Sequence, residues 1–234
     1  MAKQPTKPLE IKVFLRGGRL ISADGIVMFD SILYHAWFYK YAPHVLRGEG
    51  DEKSNKYIGL PLRQLTGNRW AASKAIYEET SKTVEFYNKR PDFFASDKIG
   101  HLKEEKGIIS DSAGLYRAYR NPVIVRTVKN DCIKFYCMGH KEEIADLLSY
   151  MPAVGKKPSM GFGIITKIEI RDIDADYSLY HPKYGLMRPL PVSEAHDYGH
   201  DLNYPIMKYG VKPPYWKPCN AELCYVPINI GGKL

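Results

Sequence analysis

Alternation of apolar and polar positions opens the chain. In IKVFL, Ile11, Val13 and Leu15 share one face, which predicts a strand, and Gly17-Gly18 break it. Phe29, Ile32, Leu33, Ala36 and Trp37 then recur at helical spacing, which predicts a helix that has Ser22 or Asp24 as candidate cap and ends before Pro43. From Pro122 onward VIVRTV (123–128) and CIKFYCM (132–138) read as two strands, and Lys129-Asn130-Asp131 between them reads as the turn of a hairpin. KEEIADLLSYM (141–151) is amphipathic through Ile144, Leu147, Leu148 and Met151, begins with an acidic turn that complements the helix dipole, and is stopped by Pro152. A strand, IITKIEI, follows, with Ile164, Thr166, Ile168 and Ile170 predicted on one face.

Between these halves the pattern thins. RGEGDEKSNK (47–56) has no apolar periodicity and reads as a solvated loop. Weak helical spacing joins Ala72, Ile76 and Glu79 within a basic, aromatic stretch. Residues 44–121 are therefore expected to be a long basic insertion rather than a separate domain. The resulting order is β-α-β-β-α-β. This predicts an α+β, ferredoxin-like (RRM-like) domain over 1–172, the plan of RNA-recognition domains. Residues 173–234 hold 8 of the 16 prolines and 8 of the 18 tyrosines, so they read as an extended Pro/Tyr-rich C-terminal arm that packs on the body or on a partner.

Composition narrows the function classes. The 234 residues are 44% hydrophobic and 26% charged, which excludes a disordered chain, and no apolar run approaches a membrane span. MAKQPTKPLE has no apolar stretch to form a signal-peptide core, so a cytoplasmic location is expected. The net charge is +8. Residues 173–234 carry six basic and six acidic groups, so the excess lies entirely in 1–172 and suits a phosphate-backbone partner. Cys132, Cys137, Cys219 and Cys224 form two Cys-x4-Cys pairs. On a strand, residues five apart face opposite ways, so these thiols read as structural and no metal or other cofactor is expected. His196 and His200 stand four apart but lack the glutamate of a zinc helix, and Gly199 disfavours a helix there.

The sharpest local feature is Gly155-Lys156-Lys157-Pro158-Ser159-Met160-Gly161-Phe162-Gly163, set between a helix and a strand. Glycines let the backbone approach a phosphate and turn its N–H groups outward, and the two lysines add charge. Phe162 suits either stacking on a base or anchoring the loop in the core, and the glycines equally suit a tight helix-to-strand turn. The order of residues is not that of a nucleotide P-loop.

Helix, GKKPSMGFG and strand together resemble the C-terminal glycine-rich loop of the RAMP superfamily, the ferredoxin-like RNA-binding subunits of CRISPR effectors. ADGIVMFDSILYHAW (23–37), NRWAASKAIYE (68–78), MRPLPV (187–192) and PPYW (213–216) resemble the small backbone subunit of type IV systems. The resemblance implies a non-catalytic, antiviral subunit that holds the five-prime handle of the guide RNA and caps one end of the effector filament. Its implied partners are the filament backbone subunit and the large subunit, with contact to target DNA near the flanking motif left open. It also implies a "thumb" wedged between nucleotides, expected within 44–121.

RNA contacts are expected from Gly155, Lys156, Lys157, Ser159, Gly161, Phe162 and Gly163, and from Arg63, Arg69, Trp70 and Lys74 of the insertion. Tyr215 and Trp216 are expected at a protein interface, as aromatics on a rigid proline scaffold. Two alternatives stay open. One is a metal-independent guide-processing endoribonuclease using His35 and His44, with tyrosines and Lys40 nearby. The other is a protein scaffold whose positive charge is incidental.

Overall fold

A computed structural model describes residues 5–46, 58–89, 92, 94, 98, 117–197 and 202–227. Strand β1 spans Lys7–Leu15 and continues, past a tight bend at Arg16–Gly18, into β2 at Arg19–Ile21. Helix α1 is Phe29–Tyr41 and a short helix, α2, is Pro43–Leu46. Two-residue strands β3 (Gln64–Leu65) and β4 (Arg69–Trp70) precede the long β5 (Glu79–Lys89) and β6 (Tyr119–Val128). Next come β7 (Cys132–Gly139), α3 (Lys141–Leu148) and β8 (Ile165–Asp172). The arm supplies β9 (Tyr180–His181), β10 (Gly185–Leu186), β11 (Leu190–Pro191), β12 (Ile206–Gly210) and β13 (Ala221–Tyr225). The protein is mixed α/β, and its sheet pairings are antiparallel.

The central sheet has the order β7-β1-β8. Alternation turns Leu9, Ile11, Val13 and Leu15 of β1, with Ile133, Phe135 and Cys137 of β7, onto one face. The buried stripe of α1 (Phe29, Ile32, Leu33, Ala36) and that of α3 (Ile144, Leu147, Leu148) cover this face. Phe29 and Phe135 meet with ring centroids 5.1 Å apart. A bulge between Phe14 and Leu15 shifts the β8 register, so Ile165, Ile168 and Ile170 pack against the core while Thr166 is exposed. The α1 cap also differs from expectation. Ser22 and Asp24 close a turn ahead of the helix, with Gly25 N–H donating to Ser22 Oγ (3.1 Å) and Ile26 N–H to Asp24 Oδ1 (3.0 Å), while the cap residue is Met28.

The expected hairpin of 123–128 with 132–138 does not form. β6 pairs with β2 and β5, and β7 pairs with β1. Asn130 and Asp131 both have φ of 55°, and this left-handed step bends the chain without reversing it. β6 and β7 are thus one long strand with a bend, lying against β1–β2, which bends at the matching place. The two bends touch: a Cβ on Gly18 would come within 2.6 Å of both Val128 O and Asp131 Oδ1.

The position beside β7 is taken instead by 58–77. Ser73 N–H donates to Tyr136 O, and Ile76 and Lys134 exchange backbone bonds, at 2.8–2.9 Å. Apart from a 3-10 turn at Thr66–Asn68 this stretch has no helix, and Ile58, Leu60, Leu62, Trp70, Ala72 and Ala75 belong to the main core. β5 and β6 form a separate ribbon, paired from Glu79↔Val128 out to Lys89↔Tyr119 and about 33 Å long at about 3.3 Å per residue. The stretch 47–56 and His200 lie outside the described residues.

Candidate nucleic-acid interface

Three segments distant in sequence converge on a groove of about 960 Å³. Helix α1 contributes Tyr34, His35 and Tyr39; the turn after α3 contributes Gly155, Lys156 and Pro158; the arm contributes Lys208, Tyr215, Trp216 and Lys217. Of the expected site residues, the fold thus gathers His35, Gly155, Lys156, Tyr215 and Trp216 around one space. Three lysines line it against a single carboxylate, Asp24. His44 is exposed on α2 and is not part of the lining. Burial in the groove wall lowers the pKa of His35 and raises that of Tyr34.

The glycine loop is held by its neighbours. Gly163 (φ +66°) donates its N–H to Arg19 O at 2.7 Å, and a Cβ there would sit 1.8 Å from Val154 O. Lys157 adopts the left-handed region (φ 60°), a strained choice for a side chain with a Cβ. Its ammonium lies 4.0 Å from the centroid of the Tyr87 ring, which ties the loop to the β5–β6 ribbon. Arg19 bridges the same parts, stacking on Phe162 at 4.9 Å and pairing with Glu85. Phe162 is buried with Ile21 and Val125, so it anchors the loop. Lys156 and Ser159 are exposed, and the backbone N–H groups of Lys156 and Lys157 donate to no acceptor among the described residues.

The residues expected from the insertion lie elsewhere. Arg69 is 4% exposed, pairs with Glu194 and donates to Thr66 O at 2.9 Å. Trp70 is part of the core, Lys74 is buried, and Arg63 pairs with Asp176 at 2.7 Å. Burial of Arg69 and Trp70 follows from the edge-strand role of 58–77. Tyr215 also faces inward: its hydroxyl lies 2.8 and 2.9 Å from the two oxygens of the fully buried Asp30. Burial raises the Asp30 pKa, against the lowering pull of Arg188 and the Tyr215 hydrogen bond. Burial and the Asp30 charge hold the Tyr215 hydroxyl well above its usual value. Trp216, by contrast, is 79% exposed.

Arg188 and Asp30 escaped the sequence reading. Arg188 is 2% exposed and donates to the carbonyls of Trp70, Ala72 (3.3 Å) and Val211 (2.8 Å), with Asp30 3.6 Å away. It joins the insertion, the arm and α1 at one point. The signal was present as a charge inside MRPLPV and a carboxylate on the apolar stripe of α1. Lys208 and Lys217 were missed because the arm as a whole is neutral.

Among the described residues no group of three or more His, Cys, Asp or Glu is placed to hold a metal ion, and no helix is long and apolar enough to cross a membrane. The four cysteines are free thiols.

The geometry defines a mixed α/β protein with a lysine-lined groove closed by its own C-terminal arm. Residues 7–227 match the family described as CRISPR type IV associated protein Csf3, and the chain belongs to that family, a type IV CRISPR effector component. No curated protein matches it significantly.

Proposed function

We propose that this chain is the non-catalytic, guide-RNA-binding subunit of a type IV CRISPR effector, holding the five-prime handle and capping the backbone filament. The observation that carries this reading is the convergence of Lys156, Lys208 and Lys217 with Tyr39 on one groove, beside loop N–H groups that have no acceptor among the described residues. Lysines neutralise phosphates without regard to sequence, and aromatic faces stack on bases. The order β7-β1-β8, with α1 and α3 on one face, supports a ferredoxin-like reading of the RAMP type, in which 58–77 fills the fourth position. The β5–β6 ribbon fits the part of the thumb. Phe86 is exposed on it, with Arg120 3.8 Å from its ring centroid, so an aromatic and a cation are presented together. Exposed Trp216 is suited to the neighbouring filament or large subunit.

The test is RNA affinity measured against salt. Wild type gives a steep negative slope, and Lys156→Glu/Lys208→Glu/Lys217→Glu flattens it by about 2, at about 0.7 per lost phosphate contact on a single strand. An unchanged slope and affinity in that folded variant refutes the groove. Loss of precursor cleavage in His35→Ala, if wild type cleaves, replaces the reading by a nuclease.

A further inference from the structure

A second cavity, of about 380 Å³, lies at the bend between β6 and β7, and the groove reading does not involve it. Its wall is built from Lys129 and Asn130 of the bend, Cys132 and Lys134 of β7, Lys74 and residues 76–78 alongside, and Lys183 and Tyr184 between β9 and β10. Strand alternation puts Cys132 and Lys134 on the opposite face of the sheet from the Ile133 and Phe135 that meet the helices. The cavity therefore opens on the side of the sheet away from the helices.

Four lysines line this space against one carboxylate. Glu78 pairs with Lys129, Nζ to Oε1 2.8 Å and to Oε2 2.9 Å. Lys134 and Lys183 add positive charge beyond that pair. Lys74 is 1% exposed, and its backbone N–H is fixed on Met187 O at 2.6 Å. A lysine is seldom buried so deeply, and cations converging on a cavity make it a site for an anion. Two tyrosines supply flat walls. Tyr77 is held by its hydroxyl donating to Gly25 O at 2.9 Å, and Tyr184 packs on His181 with ring centroids 4.6 Å apart. Lys183 lies 5.3 Å from the centroid of the Tyr184 ring, so cation and ring are side by side. The volume falls within the roughly 300–1,000 Å³ of small-ligand sites.

We propose that this cavity binds a nucleoside phosphate, with the phosphate on Lys74, Lys134 and Lys183 and the base against Tyr184. A free nucleotide and the phosphorylated end of an RNA share this chemistry. Burial lowers the Lys74 pKa to about 8, so the lysine is mostly charged near neutrality, and an anion in contact with it favours the charged form further.

The experiment is calorimetric titration of the full chain with AMP, adenosine and inorganic phosphate. AMP binds saturably, and the other two bind at least tenfold more weakly. Lys134→Glu/Lys183→Glu weakens AMP at least tenfold, since two contacts to a charged group are lost. Lys134→Gln alone, a milder change, weakens it measurably. A charge-matched control at the far end of the sheet, Lys7→Glu/Lys141→Glu, binds as wild type. Short RNAs with a five-prime phosphate or a five-prime hydroxyl then identify the source. Competition with AMP by the phosphorylated RNA alone assigns the site to an RNA end, and competition by neither assigns it to free nucleotide. No saturable AMP binding, equal affinity for inorganic phosphate, or binding that the folded Lys134/Lys183 variant retains overturns the proposal.

Discussion

Replacing Tyr215 by Phe removes one oxygen and keeps the ring, so it isolates the bond that fastens the arm to α1. The hydroxyl sits 2.8 and 2.9 Å from the two oxygens of Asp30, which is fully buried beside Arg188 at 3.6 Å. One proton serves one oxygen at a time, so a single charge-assisted hydrogen bond is lost, worth roughly 1.5–3 kcal/mol. Arg188 remains as a partial partner, which places the expected loss near 2 kcal/mol. For a chain of this size that corresponds to a Tm lower by about 4–8 °C. The loss also depends on pH. Burial holds the folded pKa of Asp30 above its unfolded value, and deleting a donor to the carboxylate raises it further. The penalty is therefore largest where Asp30 is ionised, and it shrinks as pH falls through the raised pKa of the variant. Urea denaturation of both proteins at a series of pH values measures this. A penalty under about 0.5 kcal/mol at neutral pH, or one that grows on acidification, refutes the account.

Other expectations are as direct. Gly163→Ala places a methyl group 1.8 Å from Val154 O and costs more than about 3 kcal/mol in urea denaturation, whereas Gly161→Ala meets open space and costs about 1 kcal/mol for its positive φ alone. Phe86→Ala, on an exposed ribbon position, leaves Tm within about 3 °C of wild type while lowering RNA affinity severalfold in a filter-binding assay. Lys74 loses its proton at about 8 in the folded chain and near 10.4 in the unfolded one, so stability rises with pH across that window by roughly 3 kcal/mol. Subtracting the denaturation profile of Lys74→Met from that of wild type reveals this rise, and a flat difference refutes it.

Periodicity carried the regular elements. The stripe from Phe29 to Ala36 and the set Ile144, Leu147 and Leu148 are buried as their spacing predicts, and Ile11, Val13 and Leu15 line the core. What failed was direction and partnership. Lys129-Asn130-Asp131 has the composition of a hairpin turn, yet whether such a triplet reverses the chain or bends it depends on the strand alongside, here β1–β2 with its matching bend at Arg16–Gly18. Residues 58–77 looked apolar-poor because they enter the core through alanines and widely spaced leucines, with no single period. The groove was half legible. Lys156 stands in a conspicuous motif, but Lys208 and Lys217 reach it only because a buried arginine, Arg188, and Tyr215 dock the arm, and no local spacing encodes that meeting.

The single long strand from Tyr119 to Gly139 continues the ribbon into the central sheet. Its outer arm is fastened to the glycine loop through Lys157 on Tyr87 and to Arg19 through Glu85, its inner arm is paired in the central sheet, and the bend at Asn130 joins the two. The ribbon and the central sheet thus share one covalent backbone, and the Lys129–Asp131 bend through which it runs supplies Lys129 and Asn130 to the wall of the second cavity.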